Sequence, residues 1–320
     1  LSDQSEARVP HRVDAVPVRH PGRWASAVVV LVLAAMAVNA LITNDNFGWP
    51  TVGKYLFSEP VLRGVRWTLV LTVASMAIAC VLALFLAVMR RSDNRVMRYV
   101  AWVYIWFFRG TPIYTQLIFW GLISVLYPKL SVGVPFGPEL FHFTTAEVFT
   151  ASRAAIIGLA LNEAAYLAEI VRAGLSSVDT GQSEAARALG MHEGTILRRI
   201  VIPQAMRVVV PPAGNETISM LKTTSLVLAV PFTQDLNFAT NAIGNRIFDP
   251  VPLLVVAALW YLAITSVLMV GQHYLERYYG RGFESHGGRR TNRQAAINAA
   301  RTTPEATVFD DMGRPQGGAA

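Results

Sequence analysis

Three long stretches without a charged residue dictate most of what this chain can become. No Asp, Glu, Lys or Arg occurs in residues 24–44, 67–89 or 110–128. As helices rising about 1.5 Å per residue, each is long enough to cross a hydrocarbon core about 30 Å thick. Composition agrees: of 320 residues, 15% are charged and 53% hydrophobic, against about 25% charged in soluble domains. Residues 148–172, 203–221 and 252–272 read as three further spans that carry some polar groups. The expected architecture is an all-α membrane protein of about six transmembrane helices.

Lys and Arg placement orients those helices, because basic residues concentrate in cytoplasmic loops. One side holds Arg8, Arg12, Arg19 and Arg23; then Arg90, Arg91, Arg95 and Arg98; then Arg172, Arg187, Arg198, Arg199 and Arg207; then Arg277, Arg281, Arg289, Arg290, Arg293, Arg301 and Arg314. The other side holds only Lys54, Arg63, Arg66, Lys129, Lys222 and Arg246. Both termini are therefore expected in the cytoplasm of a multi-pass cell-membrane protein. The net charge of +7 follows from this asymmetry and does not point to nucleic acid. Residues 1–23 and 281–320 read as disordered cytoplasmic tails, having too few large apolar residues to offset ordering entropy. The helix at 24–44 ends on the small-residue pattern Val38-Asn39-Ala40 of a cleavage site, but its long leading region favours a retained span.

Residues 176–202, between the fourth and fifth spans, do more than connect. The segment around Gln182–Leu189 is a good helix former, with Ala185, Ala186 and Ala188 and a Glu184–Arg187 pair one turn apart. Ser183, Thr180 and Asp179 are candidate caps. Gly190 is placed to stop the helix, since Gly takes the left-handed conformation at low cost. An amphipathic stretch with Ile196, Leu197, Ile200 and Val201 leads into Pro203, which suits the first turn of the next helix.

The spacing Glu184-Ala185-Ala186, Gly190, Ile200, Ile202, Pro203 resembles the EAA loop of ABC-importer permeases, with Ile202 where Leu is usual. Further segments resemble the polar amino-acid branch of that family, which includes histidine, arginine, glutamine and glutamate importers. They are Arg109-Gly110-Thr111-Pro112, the run from Asn162 to Arg172, Pro203-Gln204-Ala205, and the run from Leu221 to Leu226. The resemblance covers about residues 60–280 and implies a type I importer transmembrane domain. It implies that Glu184, Ala185, Ala186, Arg187, Gly190, Ile200 and Pro203 couple the spans to a cytoplasmic ABC ATPase dimer. It also implies an extracellular or periplasmic amino-acid-binding protein and a second permease copy, identical or paralogous. ATP and magnesium would sit on the ATPase, leaving no cofactor in this chain.

Ionisable groups inside a bilayer are costly and commonly face a cavity or a partner. Asn162, Tyr166 and Glu169 recur at helical spacing, with Glu163 beside them; Asn215, Ser219 and Lys222 do the same, with Glu216 beside them. Asn162, Glu163, Tyr166, Asn215, Glu216 and Ser219 are thus candidates for a substrate path, with helix–helix glue as the alternative. Lys222, Thr224 and Ser225 are candidates for a gate. Glu169 and Arg172 read as a structural ion pair. Arg109 is expected to snorkel to the inner interface, and Thr111-Pro112 reads as a helix start or kink.

Several other readings are weaker. Gly48-Trp49-Pro50-Thr51-Val52-Gly53-Lys54 matches most of a phosphate-binding loop, but Tyr55 follows where Ser or Thr would hold magnesium. The six His residues are scattered and the lone Cys80 lies in an apolar run, so no metal site or nucleophile is expected; Cys80 is expected to be packed and inert. An ion-coupled secondary transporter working through Glu163 or Glu216 is the alternative function, but it predicts two similar halves, which the sequence lacks.

Overall fold

The computed structural model describes residues 21–134 and 139–280. The two expected tails lie outside the described residues, apart from residues 21–23, which open the first helix. The chain is a series of helices: α1 (Pro21–Thr43), α2 (Trp49–Tyr55), α3 (Glu59–Arg91), α4 (Arg95–Gly110), α5 (Ile113–Gly121), α6 (Ile123–Leu126), α7 (Thr145–Val148) and α8 (Ala151–Ser176). After these come α9 (Thr180–Ala188), α10 (Glu193–Ile196), α11 (Ile202–Thr223), α12 (Leu236–Ile247) and α13 (Pro250–Tyr279). Between α6 and α7 an antiparallel hairpin pairs β1 (Lys129–Gly133) with β2 (Glu139–Thr144), a departure from the purely helical expectation.

Among the described residues, four helices are long and apolar enough to cross a membrane: residues 22–43 of α1, and α3, α8 and α13. The other two expected spans are less regular. The one placed at 110–128 starts instead at Arg95, three residues after α3 ends, and is broken between Gly110 and Ile113 into α4 and α5. Pro112 has no N–H to donate to the Phe108 carbonyl one turn back, so the helix stops there. Arg109 consequently lies about 20 Å along α4 from its start. The span placed at 203–221 is α11, whose apolar character is diluted by Pro211, Pro212, Asn215 and Glu216. A 3-10 turn (Thr224–Ala229) and α12 occupy most of the connection between the spans read at 203–221 and 252–272.

The core forms where α3 and α8 lie side by side, joined by α4, α5 and α11. Ala154, Ala155, Ala160, Ala164, Ala165 and Ala168 on α8 are all buried. Small side chains let helix backbones approach closely, which matters where lipid supplies no hydrophobic drive for association. A second cluster joins Val52, Val61, Val65, Leu236, Ile243, Leu253 and Val256 from α2, α3, α12 and α13. α1 stands apart: its side chains from Gly22 to Thr43 are exposed, as suits a helix that faces lipid. Cys80 also lies on the exposed face of α3, not in the core as expected. The segment that resembled a phosphate-binding loop is the helix α2, with no strand before it among the described residues.

α3 and α12 approach closely at Gly64, where an added Cβ would lie 2.7 Å from the Leu236 Cα and 3.0 Å from its N. Both are backbone atoms, so a side chain there must push α12 away from α3. Gly64→Val is expected to cost about 1–3 kcal/mol by overpacking. Its thermal unfolding midpoint in detergent should fall below that of the wild type, and an unchanged midpoint would contradict this packing.

Candidate functional site

Two regions carry the candidate residues: the loop between α8 and α11, and a cavity between the same two helices. In the loop, Asp179 is the cap, its side chain accepting from the Gly181 N–H at 2.8 Å. α9 then runs to Ala188 and reverses at Gly190, whose φ is +77°. Gly190 N–H donates to the Arg187 carbonyl at 2.8 Å, and Met191 N–H donates to Ala186 at 3.1 Å. This is the paired bonding of a Schellman stop. Arg187 does not pair with Glu184, one turn away, as expected; it crosses the reversal to Glu193. That bond holds the Glu193 carboxyl below its ordinary pKa. His192 caps α10, its Nδ1 accepting from Gly194 N–H at 3.3 Å.

The loop is tied to the span that follows. Gln204 on α11 donates to Gln182 on α9 at 2.9 Å. A π-helical turn (Leu197–Val201) runs directly into α11, with Pro203 in its first turn. Ala186 and Ile196 are buried, whereas Glu184, Ala185 and Arg187 are exposed. Leu189 is 82% exposed, at the edge of a concavity shared with Gln182, Ala185, Ala186, Met191 and Ile200. An apolar side chain is thus presented beside a shallow depression on a helix held at both ends.

The cavity, of about 360 Å³, is lined by Asn162, Glu163, Tyr166, Glu216, Ser219, Met220 and Thr223, with Ile113 and Leu159. Five of the six expected path residues meet here. Asn215 does not; it is exposed and outside the lining. Glu163 is buried, at 6% exposure, and its Oε1 has no hydrogen-bond partner among the described residues. The Glu216 charge is close enough to act on Glu163, so two carboxylates share the cavity. A buried carboxylate without a partner is expensive, which favours a cationic occupant.

The break between α4 and α5 borders this cavity, and two amides repair it. Gln116 Nε2 donates to the Phe108 carbonyl at 3.0 Å, to the Thr111 carbonyl at 3.1 Å and to Thr111 Oγ1 at 2.6 Å. Asn162 Nδ2 donates to the same Phe108 carbonyl at 2.9 Å and to Gln116 Oε1 at 3.2 Å. Asn162 therefore serves the helix break as well as the cavity wall. The sequence analysis did not single out Gln116. Its signal is Pro112, which strips a donor from Phe108 and calls for a nearby amide.

The remaining candidates lie around the far end of α11. Lys222 is exposed, Thr224 is buried and donates to Leu221 at 2.7 Å, and Ser225 donates to Lys222 at 2.7 Å. Asn237 on α12 donates to the Ser225 carbonyl at 3.0 Å, tying this turn to α12. Glu169 and Arg172 form the expected ion pair at 2.7 Å.

Residues 79–280 match the family described as the inner membrane component of binding-protein-dependent transport systems. The chain is 48% identical over 273 residues to the arginine transport system permease protein ArgU of Corynebacterium glutamicum, covering 85% of each. It is 35% identical over 207 residues to the histidine/lysine/arginine/ornithine permease protein HisM of Escherichia coli, covering 64% of this chain and 83% of that one. Among solved structures, an amino acid ABC transporter matches with a TM-score of 0.57 and 32% identity, over 68% of this chain and 94% of that one. The MetNI methionine ABC transporter shares the fold, with a TM-score of 0.55 at 19% identity. The chain belongs to the binding-protein-dependent transport system inner membrane components, as a permease subunit of an ABC importer.

Proposed function

We propose that this permease carries a basic amino acid such as arginine through the cavity between α8 and α11. The observation that carries this reading is the buried Glu163, unpartnered at Oε1 and facing the cavity it shares with Glu216. Two carboxylates suit a substrate with two cationic groups, an α-ammonium and a charged side chain. Arginine transport by the similar ArgU protein agrees, and an ion-coupled alternative has no such support. Asn162, Tyr166 and Ser219 supply the rest of the polar wall, while Asn215 extends the path beyond it. Lys222, Thr224 and Ser225 form the gate at the far end of α11. The family brings an ATPase and a substrate-binding protein as partners. In this reading the α9 helix docks on the ATPase dimer, which holds ATP and magnesium, and a second permease copy completes the path.

The basic asymmetry places both ends of the chain in the cytoplasm. A topology reporter fused after Gly280 should be active only inside the cell, and activity only outside would reverse the orientation.

Coupling depends on Gly190 in this reading. Nothing lies within 4 Å of its added Cβ, so the cost of a side chain there comes from its φ of +77°. Gly190→Val should reduce transport-coupled ATP hydrolysis in reconstituted vesicles while membrane insertion stays normal. Gly190→Asn should be milder, since Asn tolerates the left-handed region. Equal hydrolysis in wild type and Val variant would remove the loop from coupling.

For the cavity, Glu216→Gln should lower arginine uptake by roughly one to two orders of magnitude, through loss of a charge-assisted bond worth about 1.5–3 kcal/mol. Glu163→Gln tests the facing helix in the same way. If both variants assemble with the ATPase and transport at the wild-type rate, the carboxylates are bundle glue and the path lies elsewhere.

A further inference from the structure

The substrate reading above accounts for the cations of a basic amino acid and leaves its carboxylate without a partner. Among the described residues, Arg109 is an ionisable group beside the cavity that the reading does not use. It sits on the last turn of α4, about 20 Å along that helix, and its side chain is exposed in the isolated chain. Its guanidinium carbon lies 5.3 Å from the centre of the Tyr166 ring, and Tyr166 lines the cavity. Among the described residues Arg109 has no hydrogen bond or salt bridge, although its charge is near enough to act on Glu216 across the cavity. Stacking engages the flat face of a guanidinium and leaves its edge, with its five N–H donors, free. That edge matches a carboxylate bidentately.

We propose that Arg109 is the specificity-determining residue that holds the substrate carboxylate, with its guanidinium braced on the Tyr166 ring. Together with Glu163 and Glu216 it makes a site of two anions and one cation, the complement of a basic amino acid with two cations and one anion. The substrate is then oriented with its carboxylate toward the end of α4 and its ammonium and side chain toward the two Glu residues. Gln116 and Asn162 act as positioning residues. By satisfying the Phe108 carbonyl at the break, they let α4 end where its last turn brings Arg109 onto Tyr166. A continuous helix would carry Ile113 and its neighbours on along the α4 axis.

The test is ligand binding to the permease–ATPase complex in nanodiscs, without the binding protein, using L-arginine and its decarboxylated analogue agmatine as probes. The wild type should bind L-arginine at least tenfold more tightly than agmatine. Arg109→Gln should bring the two affinities together by weakening L-arginine alone, and Arg109→Lys should restore part of the preference. Tyr166→Phe should keep the preference and Tyr166→Leu should reduce it. Equal affinity of the wild type for both probes overturns the proposal while leaving the basic-substrate reading intact. A tenfold preference that survives in Arg109→Gln also overturns it, and assigns the carboxylate to another group. Binding of neither probe overturns the basic-substrate reading and the clamp with it. The wild-type comparison needs no variant, so a failure of Arg109→Gln to fold leaves the test standing.

Discussion

The carbonyl of Phe108 organises the centre of this protein. Pro112 cannot give it a hydrogen bond, and inside a bilayer no bulk water replaces the missing donor. Two side-chain amides do so instead: Gln116 from α5 and Asn162 from α8. The repair joins three helices at one atom and fixes where α4 ends. It also sets the surroundings of the cavity, since Asn162 and Tyr166 are one turn apart on α8 and both line it. A helix break in lipid is tolerable only where such partners exist, so break and cavity form one construction.

The cavity walls and the loop between α8 and α11 are mechanically continuous. α8 and α11 form facing walls, and the segment between them is stiff at each joint. It has a carboxylate cap at Asp179, a Schellman stop at Gly190, an Arg187–Glu193 bridge and an amide bond from Gln204 back to Gln182. A displacement of α9 is therefore passed on, not absorbed. α11 has its own weak point at Pro211 and Pro212, which withhold donors from the Arg207 and Val208 carbonyls. Gln272 on α13 reaches the Pro211 carbonyl at 3.4 Å. The loop end of α11 can bend there relative to the end that carries Glu216.

Packing explains how a polar cavity survives within so apolar a chain. The buried alanines of α8 bring α3 close on one face, which leaves the polar residues of α8 to turn toward α5 and α11. Gly64 does the same for α3 and α12. Dispersion and close backbone approach supply stability here, because lipid is as apolar as the side chains it would replace. Glu163 is held inside by that packing, and its Oε1 has no hydrogen-bond partner among the described residues.

The sequence by itself determined the membrane class, the family and the local shape of the loop between α8 and α11, and it predicts an orientation. Each rests on local chemistry: long uncharged runs, basic residues counted by side, and a helix former followed by Gly and Pro at fixed spacing. It also placed the polar stripes of α8 and α11, because helical periodicity puts such residues on one face. What it could not decide depends on partners distant along the chain. The true start of the third span turned on Arg95 following α3 after three residues, not on where charge disappears. Arg187 chose Glu193 over Glu184 because the reversal at Gly190 brought it closer. Gln116 mattered only because Pro112 left a carbonyl bare beside α8. Arg109, read locally, belongs at an interface; only packing of α4 against α8 sets its guanidinium on Tyr166, beside two carboxylates. Periodicity gives the face of a helix, whereas the choice of what meets that face is made by close packing between helices.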